Sequence, residues 1–131
     1  MPNRRHVLGA LALIAALSFA APSFAMEKKP FDAKAFEAAQ AAGKPILLEV
    51  HAPWCPTCKA QTPILSKLSN EAKFKNMVRF NIDFDSQKDL LRKFNVRTQS
   101  TLIAFKGKQE AGRSAGDTNA TSIEALLAKA I

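Results

Sequence analysis

Ile46-Leu47-Leu48-Glu49-Val50-His51-Ala52-Pro53-Trp54-Cys55-Pro56-Thr57-Cys58-Lys59 joins an apolar run to the only two cysteines of the chain. Its near-continuous apolar first half, Ile46 to Ala52, predicts a strand covered on both faces. Beyond Cys58, the apolar residues Ile64, Leu65, Leu68 and Ala72 keep helical spacing up to about Phe74. A Cys-x-x-Cys at such a junction sets the first sulfur at a helix N-terminus. There, unpaired backbone N–H groups and the helix dipole favour the thiolate. A free cysteine has a pKa of about 8.5, and surroundings of this kind lower it to roughly 3.5–7.5. The thiolate is the species that attacks disulfides, so the spacing points to redox chemistry. A bridge across Pro56 and Thr57 alone would close too little chain to serve as a stabilising staple.

Outward from this junction, Met26 to Pro30 reads as a short polar leader, and Asp32 as the N-cap of an alanine-rich helix to about Ala42, ended by Gly43. Pro63 interrupts the helix after the cysteines and predicts a kink. Met77 to Asp83 is a second strand with partial alternation. Gln87 to Phe94 is a short helix, with Asn95 as a left-handed stop. Thr101 to Phe105 is a third strand, Lys106-Gly107-Lys108 a turn, and Gln109 to Ser114 an edge strand. Thr121-Ser122-Ile123-Glu124 has the form of a capping box opening the last helix. The predicted order is α-β-α-β-α-β-β-α, an α/β class with no internal repeat.

The first 25 residues read as a signal peptide outside the fold. Arg4, Arg5 and His6 form a basic start, residues 7–21 are almost wholly apolar, and Ser23-Phe24-Ala25 offers small residues before Met26. The apolar run falls short of the roughly 20 residues that cross a bilayer. Adjacent arginines also fit a twin-arginine export signal; an ordinary basic start fits equally. Either route leads out of the cytoplasm and leaves residues 26–131, enough for one domain. The net charge of +8 comes from basic residues dispersed among acids, without aromatic interleaving. That pattern describes a solvated surface and carries no nucleic-acid signature.

The ordered set, strand, Trp54-Cys55-x-x-Cys58-Lys59, Pro63-Ile64-Leu65 and Arg79-Phe80-Asn81-Ile82-Asp83, resembles the thioredoxin superfamily over residues 31–131. The likeness is strongest to exported bacterial modules that pass electrons to periplasmic disulfides. It implies a thioredoxin-like fold: a central mixed β-sheet flanked by helices. It further implies that Cys55 is the attacking thiolate, accessible at the surface, and Cys58 the buried thiol that resolves the mixed disulfide. Pro56 suits the first helical turn, where its missing N–H costs nothing. Thr57 either tunes the thiolate through its hydroxyl or is a spacer. Trp54, Gln99, Ser100 and Gly116 fall where the family docks its partners, though Trp54 also fits a half-buried core position. Glu49 matches a buried acid that accepts the resolving cysteine's proton, and Arg79 a basic partner on the next strand; a purely structural ion pair is the alternative. His51 suits a partly exposed strand end better than a third soft ligand. Lys59 lies on a solvated helix face and adds local positive potential.

One position departs from the family. A cis proline ordinarily precedes the strand at Thr101, and this chain has Gln99-Ser100-Thr101. A non-proline cis bond costs about 2.5–4 kcal/mol against roughly 0.5–1 for proline. With the flanking strand intact, a retained cis bond at Gln99–Ser100 is the expectation, with a serine N–H and hydroxyl exposed near Cys55; a loop relaxed to trans with the Ser100 N–H hydrogen-bonded is the alternative.

Together these features predict an exported, monomeric thiol–disulfide oxidoreductase, more reductant than oxidant, acting in the periplasm without a cofactor. Its partners would be protein disulfide clients and a thiol electron donor, membrane-embedded if the protein is exported. A metal or iron–sulfur module is the alternative; two cysteines supply half of a four-ligand site, so it needs a dimer or outside ligands. A redox-inert docking domain using the platform around Trp54 and Gln99 is the third.

Overall fold

Strand β2, Pro45–His51, occupies the middle of a five-stranded mixed sheet of order β1-β3-β2-β4-β5. The computed structural model describes Ser18 and residues 26–131, so the signal peptide expected over 1–25 otherwise lies outside the described residues. Parallel to β2 runs β3, Val78–Asp83, and beyond it the edge strand β1, Lys28–Pro30. On the other side β4, Thr101–Lys106, and β5, Gln109–Ala115, continue the sheet antiparallel. The helices are α1, Ala33–Ala41; α2, Pro56–Ser69; α3, Lys88–Lys93; and α4, Ala120–Ala128. The predicted mixed sheet flanked by helices is therefore present.

Strand β1 corrects the expected polar leader. Lys28, Lys29 and Pro30 are all exposed and carry no apolar alternation, so nothing local marks a strand. Their backbone pairs in register with Arg79, Phe80 and Asn81, and an edge tolerates both lysine and proline. The opening of α4 is a second correction. Its N-cap is Asn119, whose side chain accepts the Ser122 N–H at 3.0 Å, two residues before the expected Thr121. Asparagine caps at least as well as threonine. Asp117 accepts the Ser122 hydroxyl, and Glu124 turns away to Lys73. Helix α2 passes through Pro63 and stops at Ser69; a separate 3-10 turn, Ala72–Phe74, follows.

Strand alternation divides the interior in two. Ile46, Leu48, Val50, Phe80, Ile82, Ile103 and Phe105 face α1 and α3, meeting Phe36, Ala39, Leu91 and Phe94. Leu47, Leu102 and Ala104 face α2 and α4, meeting Leu65, Leu68, Ile123 and Leu127. Gly112 lets β5 approach α4: a Cβ there would stand 3.0 Å from Leu126. Together the two layers clamp the C-terminal end of β2, where the cysteines follow.

Candidate active site

After His51 the chain turns once, the Cys55 N–H bonding to the Ala52 carbonyl at 3.2 Å, and α2 begins at Pro56 with Cys55 as its N-cap. Proline at the first helical position is preorganised for the turn and wastes no donor. The Cys55 sulfur accepts the Cys58 N–H at 3.1 Å, so it fills the role that a serine or aspartate oxygen plays at other helix starts. Burial by itself pushes the Cys55 thiol up. Hydrogen bonds from the Cys58 and Ser100 side chains and from the Cys58 and Thr57 backbone N–H groups outweigh it, and the thiol titrates below its ordinary value. Thr57 thus acts through its main chain. Cys58 moves the other way: burial raises it, and hydrogen bonding to Cys55 adds to the rise. Two thiols three residues apart are driven in opposite directions.

The expectation of an accessible Cys55 over a buried Cys58 is corrected in its first half. Cys55 is 0 % exposed and Cys58 1 %. Both pack with Ala52, and Phe84 closes against them. Hydrogen bonds at the Cys55 sulfur and burial of Cys58 set their titrations apart.

The cis bond expected at Gln99–Ser100 is absent: every peptide bond among the described residues is trans. Ser100 instead has φ +62°, a left-handed conformation uncommon for a residue with a side chain. Its N–H, expected to be exposed, donates to the Val50 carbonyl at 2.9 Å, a bond that proline cannot make. Its carbonyl accepts the Gly116 N–H at 3.0 Å and the Gln61 side-chain amide at 3.1 Å. Three bonds to three different segments hold the turn in place. The Ser100 hydroxyl then lies 3.1 Å from the Cys55 sulfur and 3.0 Å from the Cys58 sulfur.

Gln61 escaped the sequence reading. It is buried, and its amide also donates to the Asp117 carbonyl at 2.8 Å, tying α2 to the loop around Gly116. The signal was present in its position one helical turn after Cys58. Gly116, at φ +73°, is exposed beside Ser100, and Gln99 is half-buried next to it. Trp54 is 54 % exposed, its ring edge-on to Phe84 and its indole N–H donating to the Asp85 carboxylate at 2.9 Å.

Beneath, Glu49 and Arg79 form the predicted cross-strand pair. Both are buried, and two guanidinium nitrogens reach Glu49 Oε2 at 2.8 and 2.7 Å. Lys28, brought in by β1, adds a second cation 3.7 Å from Oε1. His51, half-buried, sits in register with Asp83 and away from the cysteines' hydrogen bonds. Lys59 is exposed. Among the described residues, no three His, Cys, Asp or Glu side chains gather as a metal site would need.

The family model described as Thioredoxin matches residues 27–129. The chain belongs to the thioredoxin family. It is 33% identical over 101 residues to thioredoxin Asp f 29 of Aspergillus fumigatus, covering 76% of this chain and 91% of that protein. A 32% match over 85 residues to the bifunctional thioredoxin reductase/thioredoxin of Mycobacterium leprae takes in 65% of this chain and 18% of that one. Among solved structures, Trxlp from Edwardsiella tarda EIB202 is similar at 39% identity and TM-score 0.75, over 77% of this chain and 98% of that one. This thioredoxin-family chain is accordingly a thiol–disulfide oxidoreductase with a Cys-x-x-Cys couple.

Proposed function

We propose that this protein is exported and, in the periplasm, reduces disulfides of client proteins, with Cys55 as attacking thiolate and Cys58 as resolving thiol. The Cys55 sulfur at the start of α2, accepting the Cys58 N–H at 3.1 Å, carries the assignment of roles. The Cys55 thiolate attacks a client disulfide; one client sulfur leaves as thiolate and the other is joined to Cys55. Cys58 then loses its proton and attacks the Cys55 sulfur, the electron pair of the mixed disulfide passing to the second client sulfur. A Cys55–Cys58 disulfide remains, and a thiol donor returns it to the dithiol. Since neither sulfur is exposed, client engagement begins with displacement of the cover at Phe84. The client backbone is received at Trp54, Gln99 and Gly116, with Ser100 buried behind them.

Glu49 sits below as the acceptor of the Cys58 proton by the family's pattern, although its own hydrogen bonds go to Arg79. Export is supported by residues 4–25 and implies a membrane-embedded thiol donor in place of a cytoplasmic reductase; the protein acts as a monomer. In the Mycobacterium leprae relative, by its name, reductase and thioredoxin share one chain, which supports a dedicated donor here.

The purified protein should reduce insulin disulfides, and a Cys58→Ser variant should trap mixed disulfides through Cys55 in the periplasm. Trapping through Cys58 in a Cys55→Ser variant instead would reverse the roles. A reduction potential near about −270 mV supports a reductant, and one near about −120 mV an oxidant. Recovery of a chain beginning at Met26 from the periplasmic fraction tests export.

A further inference from the structure

The Ser100 hydroxyl is the single polar side-chain group in hydrogen-bond reach of both sulfurs among the described residues, at 3.1 Å from Cys55 and 3.0 Å from Cys58. It is 2 % exposed, so bulk water does not compete for it. Its backbone is fixed at three points, by Val50, Gly116 and Gln61, which leaves rotation of the short side chain and its hydroxyl as its remaining motion. A hydroxyl offers one proton and two lone pairs. A dithiol with one thiolate likewise has one proton to share. The match gives a closed chain: Cys58 S–H donates to Ser100 Oγ, and Ser100 O–H donates to the Cys55 thiolate.

We propose that Ser100 is a positioning residue of the redox couple, whose hydroxyl serves the Cys55 thiolate in the reduced protein and turns to the Cys58 sulfur in the mixed disulfide. This rests on the oxidoreductase roles assigned above and extends them to a side chain that the family's proline does not possess. Once Cys55 is bound to a client sulfur it carries no negative charge, and the hydroxyl proton is released to Cys58. There it stabilises the thiolate forming as the Cys58 S–H bond breaks. The Cys58 proton passes to Glu49 as assigned above, the Cys58 electron pair makes the Cys55–Cys58 bond, and the bond between Cys55 and the client sulfur breaks with the client sulfur leaving as thiolate. Ser100 ends unchanged, and no external oxidant or reductant enters this step.

The chain of hydrogen bonds belongs to the dithiol and the mixed disulfide, because the sulfurs of a closed bridge are poor acceptors. Ser100 therefore favours the reduced form and makes the couple more oxidising than the same site without a hydroxyl. It also explains how a left-handed serine can stand where proline is usual: the conformation aims Oγ between the sulfurs.

The test is to compare the wild-type protein with Ser100→Ala and Ser100→Gly. Glycine accepts a φ of +62° more readily than serine does, so it preserves the turn while deleting the hydroxyl. Three readouts apply: the pH titration of the thiolate ultraviolet absorbance, the equilibrium with a glutathione buffer, and the rate at which a preformed mixed disulfide on Cys55 resolves. Both variants should titrate Cys55 at higher pH and resolve more slowly. Their dithiol–disulfide equilibrium should shift about tenfold toward the disulfide, which is about 30 mV for a two-electron couple. A glycine variant that folds, with thiol titration, equilibrium and resolution all at wild-type values, would overturn the proposal and leave Ser100 a backbone feature. Insulin reduction by the wild-type protein is measured alongside. An inactive wild type sinks the oxidoreductase roles, whereas an active wild type with unmoved variants sinks the hydroxyl's role alone.

Discussion

Under α1 and α3, Phe31, Phe36, Phe80, Phe94 and Phe105 meet mostly edge to face, with ring centroids 5.4 to 6.2 Å apart. Under α2 and α4, the same sheet carries Glu49 and Arg79 among its leucines, with Asn81 in register beside Glu49. The Asn81 side-chain oxygen is buried there with no hydrogen-bond partner among the described residues. The aromatic face is stabilised in the ordinary way, by apolar burial and favourable ring geometry. On the other face, buried charge and an unpaired oxygen cost stability. That cost is carried on the side toward which α2 delivers the cysteines. Stability and chemistry have been placed on opposite sides of one sheet.

Phe36→Ala tests the first half of that contrast most severely. Phe36 touches the rings of Phe31, Phe80, Phe94 and Phe105, so its removal should cost about 4 kcal/mol in urea unfolding while leaving thiol titration unmoved. A change in thiol titration would show that the faces are coupled. Arg79→Met should cost somewhat less, about 3 kcal/mol, because Lys28 remains beside the stranded Glu49 carboxylate. The double variant Glu49→Leu/Arg79→Met should recover most of that loss, since an apolar pair avoids the desolvation. If it does not, the pair contributes net stability and the contrast between the faces is wrong.

A smaller effect follows from the opposed thiols. The folded Cys55 thiol lies below its ordinary value, so its contribution to the stability of the reduced protein is present above the unfolded thiol's pKa and fades as pH falls through the folded one. Cys58 lies above its ordinary value, and its contribution is present below the unfolded pKa and fades as pH rises through the folded one. Unfolding of the reduced protein across neutral to alkaline pH, compared with Cys55→Ser and Cys58→Ser, should resolve slopes of opposite sign. Slopes of equal sign would remove the asymmetry on which the roles rest. The smallest change, about 1 kcal/mol, is expected for Asn119→Ala, which deletes the cap of α4 far from the sulfurs. Thr121→Ala, at the position the sequence pattern favoured, should be close to neutral.

Local signals and the elements they announced correspond closely at the β2–α2 junction. An apolar run, a cysteine at the cap, proline at the first helical position and helical spacing thereafter are all properties of neighbouring residues. So are the Asp32 cap, the left-handed stop at Asn95 with φ +54°, and the alternation of β3 that puts Arg79 on the side of Glu49. Strand β1 had no such signal, since Lys28-Lys29-Pro30 becomes a strand only through the backbone of β3. Gln61 was marked only by its place one helical turn after Cys58, and its distant partners decided that its amide joins α2 to two loops.

What the sequence determined by itself was the chemistry available: two thiols at Cys-x-x-Cys spacing, the helix start that lowers one of them, and the order of elements around them. Each depends on interactions spanning a few residues, which composition and spacing encode. Tertiary structure decided how deeply Cys55 is covered, where Lys28 lands, and which way the chain turns at Ser100. In each case the decisive partners are distant in sequence. The Ser100 turn shows the reason plainly. Without proline the trans bond is the local default, and the bonds to Val50, Gly116 and Gln61 select the left-handed conformation that sets the hydroxyl between the sulfurs.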